Sequence, residues 1–199
     1  MNAPAVPAPE WRLRRAGPED APALDELIRL SVHGLQSSHY SMAQREAALG
    51  PVFGVDHQLI ADGTYFVAVA KTKLVAAGGW SRRAARFGGS AGRPDSGPAE
   101  WLDPGSAAAR IRAFFVHPDW ARGGLGRALL ARCESEIQAA GFRSAEIVAT
   151  LAGEPLYAAG GYRVTARTTI ALPNGLSLPV VHMVSAWSIR PAETSARPG

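Results

Sequence analysis

Cysteine is all but missing from this chain of 199 residues, with Cys133 standing alone. No intrachain disulfide and no cysteine-based zinc site can form, and a reducing, cytoplasmic setting is the expectation. Lysine is nearly as scarce: Lys71 and Lys73 are the only two, and arginine carries the positive charge. With the abundant alanine, that bias reads as codon composition rather than function. No apolar run approaches the ~20 residues that span a bilayer. The opening MNAPAVPAPE has neither the basic nor the apolar region of a secretory signal. No membrane association is expected. Charged residues make up 19%, too few for a disordered chain, while hydrophobic residues at 47% suffice for a core. The net charge of +4 favours anionic partners. The arginines are dispersed, however, and no helix-turn-helix or zinc-finger spacing occurs, so nucleic acid is not an expected partner.

The length fits one domain. Residues 1–9 and 189–199 read as disordered tails, and 10–188 as the folded unit. Trp11 to Arg15 alternate like a first strand. Gly17 to Asp20 start a helix whose apolar face is Leu24, Leu27, Ile28 and Val32, and a second helix covers Ser41 to Ala48. Tyr65 to Ala70 and Leu74 to Ser81 form a hairpin. Residues 82–107, rich in Gly, Pro, Ser and Ala, read as a long loop insertion. Arg110 to Val116 is a central strand ended by His117-Pro118-Asp119. A glycine turn opens a helix with the face Leu125, Leu129, Cys133 and Ile137, closed by Gly141. Ala145 to Thr150 is a strand, Pro155 to Ala159 a short helix, and Thr165 to Leu172 with Leu178 to Ser185 a final hairpin around Pro173-Asn174-Gly175. The strand-turn-helix-strand centre implies a parallel pair, and the flanking hairpins imply antiparallel neighbours. The fold class is thus α/β (α+β), a mixed sheet with helices on both faces.

The strongest local signal is Val116-His117-Pro118-Asp119-Trp120-Ala121-Arg122-Gly123-Gly124-Leu125-Gly126-Arg127. A strand runs into a glycine turn and then into a helix N-terminus, where unpaired N–H groups carry partial positive charge. Glycines let backbone close around phosphate oxygens, and Arg122 and Arg127 add charge. This is pyrophosphate-binding chemistry, and a tight turn that binds nothing is the alternative. The lysine-bearing nucleotide loop is excluded because no lysine stands here. The dinucleotide fingerprint is excluded because Gly124-x-Gly126 lacks a third glycine. A second signal follows the next strand, in Leu156-Tyr157-Ala158-Ala159-Gly160-Gly161-Tyr162. Tyr157 falls near the C-terminal ends of two parallel strands, where open α/β sheets bind ligands, and its hydroxyl can donate a proton. A packed core tyrosine is the alternative.

Together the two motifs resemble the GCN5-related N-acetyltransferase superfamily. The family pattern is Gln/Arg-x-x-Gly-x-Gly/Ala after the fourth strand and Tyr-x-x-x-Gly-Phe/Tyr after the fifth. Here these are Ala121 to Gly126 and Tyr157 to Tyr162. The resemblance implies a mostly antiparallel twisted sheet whose central parallel pair splays into a V, with acetyl-CoA as co-substrate in the opening and no metal. It implies that the backbone of Phe114, Phe115 and Val116 holds the pantetheine arm, with an N–H near Val116 serving the oxyanion. It further implies that the amides of Arg122, Gly123, Gly124, Leu125, Gly126 and Arg127 hold the pyrophosphate, that Thr150 touches the cofactor, and that Tyr157 protonates the CoA thiolate. Position 121 departs from the pattern, being Ala. Some relatives carry a glutamate base where Ala145 stands, and Glu146 is one residue along, on the opposite strand face.

The implied reaction is attack of a neutral amine, carried by a small molecule or a protein, on the thioester carbonyl. The base that frees the amine is open among His39, His117 and Glu146, while His57 and His182 stand in no motif. Cys133 continues an apolar helix face and reads as core. The stretches 34–40 and 82–107 are candidates for acceptor contacts, and the final hairpin is a candidate homodimer surface. A catalytically silent CoA-binding sensor or regulator is the alternative to an enzyme.

Overall fold

The computed structural model describes residues 10–84 and 100–187. The expected tails at 1–9 and 189–199 and most of the expected insertion lie outside those residues. The elements in chain order are β1 (Arg12–Arg15), α1 (Ala21–Leu35), α2 (Met42–Ala48), α3 (His57–Ala61), β2 (Tyr65–Ala70), β3 (Lys73–Ser81), β4 (Ala109–Val116), α4 (Leu125–Ala139), β5 (Ser144–Thr150), α5 (Glu154–Ala159), β6 (Arg163–Ala171) and β7 (Ser177–Ala186). None of the described helices is long and apolar enough to cross a membrane.

Local chemistry sets the helix ends. Asp20 accepts both terminal nitrogens of Arg14, at 2.6 and 2.7 Å, and the Gly17 N–H at 2.9 Å, which ties β1 to the start of α1. Arg14 holds the Asp20 carboxyl below the usual carboxylate range. Ser41 and Gln44 form a reciprocal capping box at α2, with Gln44 N–H to Ser41 Oγ at 3.2 Å and Ser41 N–H to Gln44 Oε1 at 2.9 Å. The α3 helix was not anticipated. Its five residues are too few to show a period, and it is held by Asp56, which accepts the Leu59 N–H at 3.0 Å.

The seven strands form one sheet in the order β1-β2-β3-β4-β5-β7-β6. β4 and β5 pair in parallel and every other neighbour pairs antiparallel. This is the mixed sheet that the element order implied. Strand alternation divides the core between its faces. Phe66, Ala68 and Ala70 of β2 point toward α4 with Leu125, Leu129, Cys133 and Ile137, while Tyr65, Val67 and Val69 point toward α1 with Leu24, Leu27, Ile28 and Val32. Each fully buried Leu, Ile, Val or Phe among these contributes about 1.5–3 kcal/mol.

The parallel ladder is short. Only Ala109, Arg110 and Ile111 pair with Ala145, Glu146 and Ile147, and beyond them β4 and β5 separate. The cause lies in β4. Between the pairs Arg112↔Gly79 and Phe115↔Ala77, Ala113 and Phe114 stand opposite the single residue Gly78, which is a β-bulge. Ala113 has φ of 60°, in the left-handed region that non-glycine residues rarely enter. Arg112 and Ala113 consequently both turn toward the α1 face, and the alternation resumes with Phe114 toward α4 and Phe115 toward α1.

At the ends of the expected 82–107 insertion the described residues are more ordered than a loop reading implies. Arg83 bridges Trp101 in antiparallel fashion, with Ala84 N–H to Glu100 carbonyl at 3.0 Å and Leu102 N–H to Arg82 carbonyl at 2.8 Å. The guanidinium carbons of Arg82 and Arg83 each lie 4.1 Å from the Trp101 ring centre.

Candidate active site

The gap between β4 and β5 opens into a cavity of about 480 Å³. Its walls come from both sides of the sheet: Trp120, Leu125, Leu156 and Tyr157 on the α4 side, and Ser31, Gln36, Phe53, Leu178 and Val180 on the α1 side, with Thr150 at the end of β5. The cavity therefore runs through the sheet at the point where the parallel ladder ends. Every residue the sequence assigned to the site lines it except Gly123, which lies within the same turn.

The glycine turn has a backbone built for anions. Arg122 and Gly124 both have positive φ, 61° and 84°, and α4 begins directly after them. The first helical hydrogen bond is Ala128 N–H to Gly124 carbonyl at 2.9 Å, so the amides of Leu125, Gly126 and Arg127 precede it and have no acceptor within the helix. Gly126 also sets the spacing to α5, because a Cβ there would meet Leu156 at 3.1 Å. Free amides, a left-handed turn and exposed Arg122 and Arg127 fit a pyrophosphate, which supports the cofactor the resemblance implied.

On β4, Phe114 turns its ring over Gly78, where a Cβ would come within 2.7 Å of the ring, and meets Tyr157 edge-on at 5.9 Å. Phe115 packs edge-on against Phe53 at 6.3 Å. The Val116 N–H, expected to serve an oxyanion, donates to the Ser31 hydroxyl at 3.2 Å. Thr150 Oγ1 accepts the Gly153 N–H at 3.1 Å, which shapes the entry to α5. Tyr157 is buried between Phe114 and Tyr162, and burial raises its phenol well above the usual range. It is therefore fully protonated at neutral pH.

The structure brings none of the named bases to the cavity wall. His39 is exposed in the turn after α1. His117 accepts the Asp119 N–H on Nδ1 at 3.2 Å and closes its own turn. Glu146 lies off the wall, on the strand face opposite Ala145 as its one-residue offset implied, and forms an ion pair with Arg110 across the parallel ladder. His57 and His182 are likewise off the wall, and Cys133 is buried core with its thiol pushed up by burial. Among the described residues no Asp, Glu or His lines the cavity.

Sequence reading missed the residues that hold the opening in shape. The Tyr65 hydroxyl donates to the Ala113 carbonyl at 3.2 Å, at the bulge itself. The Tyr40 hydroxyl accepts the Leu151 N–H at 2.8 Å and donates to the Pro179 carbonyl at 2.7 Å, extending the β5–β7 ladder beyond its last rung. Arg112 is engaged by buried Asp56 at 2.9 Å. Contacts spanning 48, 111 and 56 residues leave no local pattern to find.

Residues 99–183 match the acetyltransferase (GNAT) domain family. Three solved structures share the fold across nearly the whole described chain. A GCN5-related N-acetyltransferase from Rhodopseudomonas palustris is 21% identical with a TM-score of 0.65, covering 93% of this chain and 99% of that one. PaiA N-acetyltransferase from Thermoplasma acidophilum, solved in complex with coenzyme A, is 14% identical with a TM-score of 0.62, covering 89% and 99%. YncA from Salmonella typhimurium, solved with acetyl-CoA, is 17% identical with a TM-score of 0.59, covering 94% and 99%. No curated protein matches the chain. The second half is thus similar to a GNAT domain, and the sheet with its splayed parallel pair is the fold of these N-acetyltransferase structures.

Proposed function

We propose that the protein is an acetyl-CoA-dependent N-acetyltransferase that moves an acetyl group directly onto a primary amine. One observation carries this reading: the cavity through the splayed strands joins an anion-binding turn on one face of the sheet to a separate wall on the other, and Tyr157 lines it on the side of the turn. A thioester seated there meets an amine arriving from the opposite side, and holding both in one gap lowers the entropic part of the barrier. The amides of Leu125, Gly126 and Arg127 take the pyrophosphate, and the exposed edge of bulged β4 takes the pantetheine arm.

The amine nitrogen attacks the carbonyl carbon, the C–S bond breaks, and Tyr157 gives its proton to the departing sulfur. The proton lost by the nitrogen returns the tyrosine to its neutral form through water. The Val116 amide serves the oxyanion by exchanging the Ser31 hydroxyl for the thioester oxygen. With no carboxylate or imidazole on the described wall, the amine enters in its neutral form or loses its proton to water. Comparing Tyr157→Phe with the unaltered protein for acetyl-CoA binding and thiol release tests the reading. Unchanged binding with slower release supports it, and equal release from both proteins removes Tyr157 from the acid role.

A further inference from the structure

The cavity wall on the α1 face identifies the kind of amine that fits, an inference that rests on the acyl-transfer reading. With the anion-binding turn on the α4 face, the acceptor approaches from the α1 face. There the wall is built from Leu35, Val52, Phe53, Ile170, Leu178 and Val180. Two of the polar groups beside them are already engaged. Ser31 takes the Val116 N–H at 3.2 Å, and Arg112 is engaged by Asp56 at 2.9 Å. Gln36 differs. It lines the cavity, is only 6% exposed, and its side-chain oxygen is buried without a hydrogen-bond partner among the described residues. A buried amide left with an unmet oxygen is costly, and a ligand that donates to it removes that cost. A polycationic acceptor needs carboxylates to replace the water around its charges, and no Asp or Glu lines the described wall.

We propose that the acceptor is a primary amine on an uncharged apolar body, an arylalkyl or branched alkyl amine, with a hydrogen-bond donor docked against Gln36, and that polyamines are excluded. The turn leading out of α1 is fixed for this purpose. The Gln36 carbonyl accepts the N–H groups of His39 and Tyr40 at 3.1 and 3.0 Å, and Tyr40 is tied to β5 and β7 through its hydroxyl.

The test begins with acetyl-CoA binding to the full chain, then compares thiol release for phenethylamine, tyramine and isopentylamine with that for cadaverine and spermidine. The expected kcat/KM is about tenfold or more higher for the apolar amines, the discrimination that an apolar pocket achieves. Gln36→Leu is expected to raise the KM of tyramine, whose phenol can donate to the amide oxygen, about tenfold, to leave acetyl-CoA affinity within about twofold, and to leave the melting temperature unchanged or higher, because leucine has no polar atom to bury. A purely structural glutamine would instead lower the melting temperature. Acetyl-CoA binding with preference for cadaverine or spermidine overturns the inference and leaves acyl transfer standing. So does acetyl-CoA binding with neither turnover nor binding of any apolar amine. Absence of acetyl-CoA binding removes both readings together.

Discussion

The hydroxyl of Tyr65 donates to the carbonyl of Ala113 at 3.2 Å, and Ala113 is the residue whose φ of 60° carries β4 out of its ladder. The bond joins a fully buried side chain of β2 to the bulge two strands away, so the core itself holds the β4–β5 gap open. Tyr65→Phe removes one neutral hydrogen bond and is expected to cost about 1 kcal/mol. Ala113→Val places a β-branched residue at positive φ and is expected to cost more, about 2 kcal/mol or above. Urea denaturation of the two variants checks the order, and a larger loss for Tyr65→Phe would contradict it.

Asp56 supports two elements at once. It caps α3 through the Leu59 N–H at 3.0 Å and engages Arg112 at 2.9 Å, with both side chains almost wholly buried. Burial works against both charges, raising the Asp56 carboxyl and lowering the Arg112 guanidinium, and each charge is tolerated only beside the other. Asp56→Ala is expected to cost about 3–5 kcal/mol, because it leaves a buried cation uncompensated. Replacing Arg112 as well, by Met, is expected to recover part of that loss. Equal stabilities of the single and double variants would contradict the pairing.

The pH dependence follows from what lines the cavity. Burial raises Tyr157 above its ordinary range, so its acid form persists through pH 9 and gives no falling limb there. Among the described residues no side-chain base lines the wall, so kcat/KM is expected to rise with pH until the acceptor's own ammonium is titrated. The midpoint should therefore move with the pKa of the amine supplied. A midpoint fixed near 6–7 for amines of different pKa would instead reveal a histidine or a raised carboxyl.

The anion turn makes a separable prediction. Replacing Arg122 and Arg127 together by Ala is expected to weaken CoA binding about tenfold and to leave binding of acetylated pantetheine, which lacks the pyrophosphate, within about twofold. Calorimetry with the two ligands measures this directly. Equal losses for both would place the arginines' role outside phosphate recognition.

Much of this architecture was legible in the sequence because its signals are local. The helix from Ser41 to Ala48, the apolar face Leu125–Leu129–Cys133–Ile137, and the glycine turn ahead of α4 each occupy a few consecutive turns, and each stands where it was read. The glycine turn and Tyr157 were visible as motifs, and the cavity gathers them. The Glu146 offset was readable because strand alternation is strict there. What stayed hidden depends on distant contacts. Nothing beside Ala113 announces positive φ, since the close packing of Phe114 on Gly78 and the Tyr65 bond appear only once three strands are adjacent. Gln36 fell within the stretch 34–40 read as a candidate for acceptor contacts, but only the apolar wall around it singles it out and makes its unmet oxygen conspicuous.

Thermal melting with increasing acetyl-CoA, and with CoA and ATP in parallel, tests the cofactor assignment on which every catalytic step depends. At a hundredfold excess over Kd, binding stabilises the native state by about 2.7 kcal/mol, or about 5–10 °C for a chain of this size. A saturable rise of that order with acetyl-CoA and CoA, and none with ATP, is the predicted result; no rise with either CoA species would contradict it.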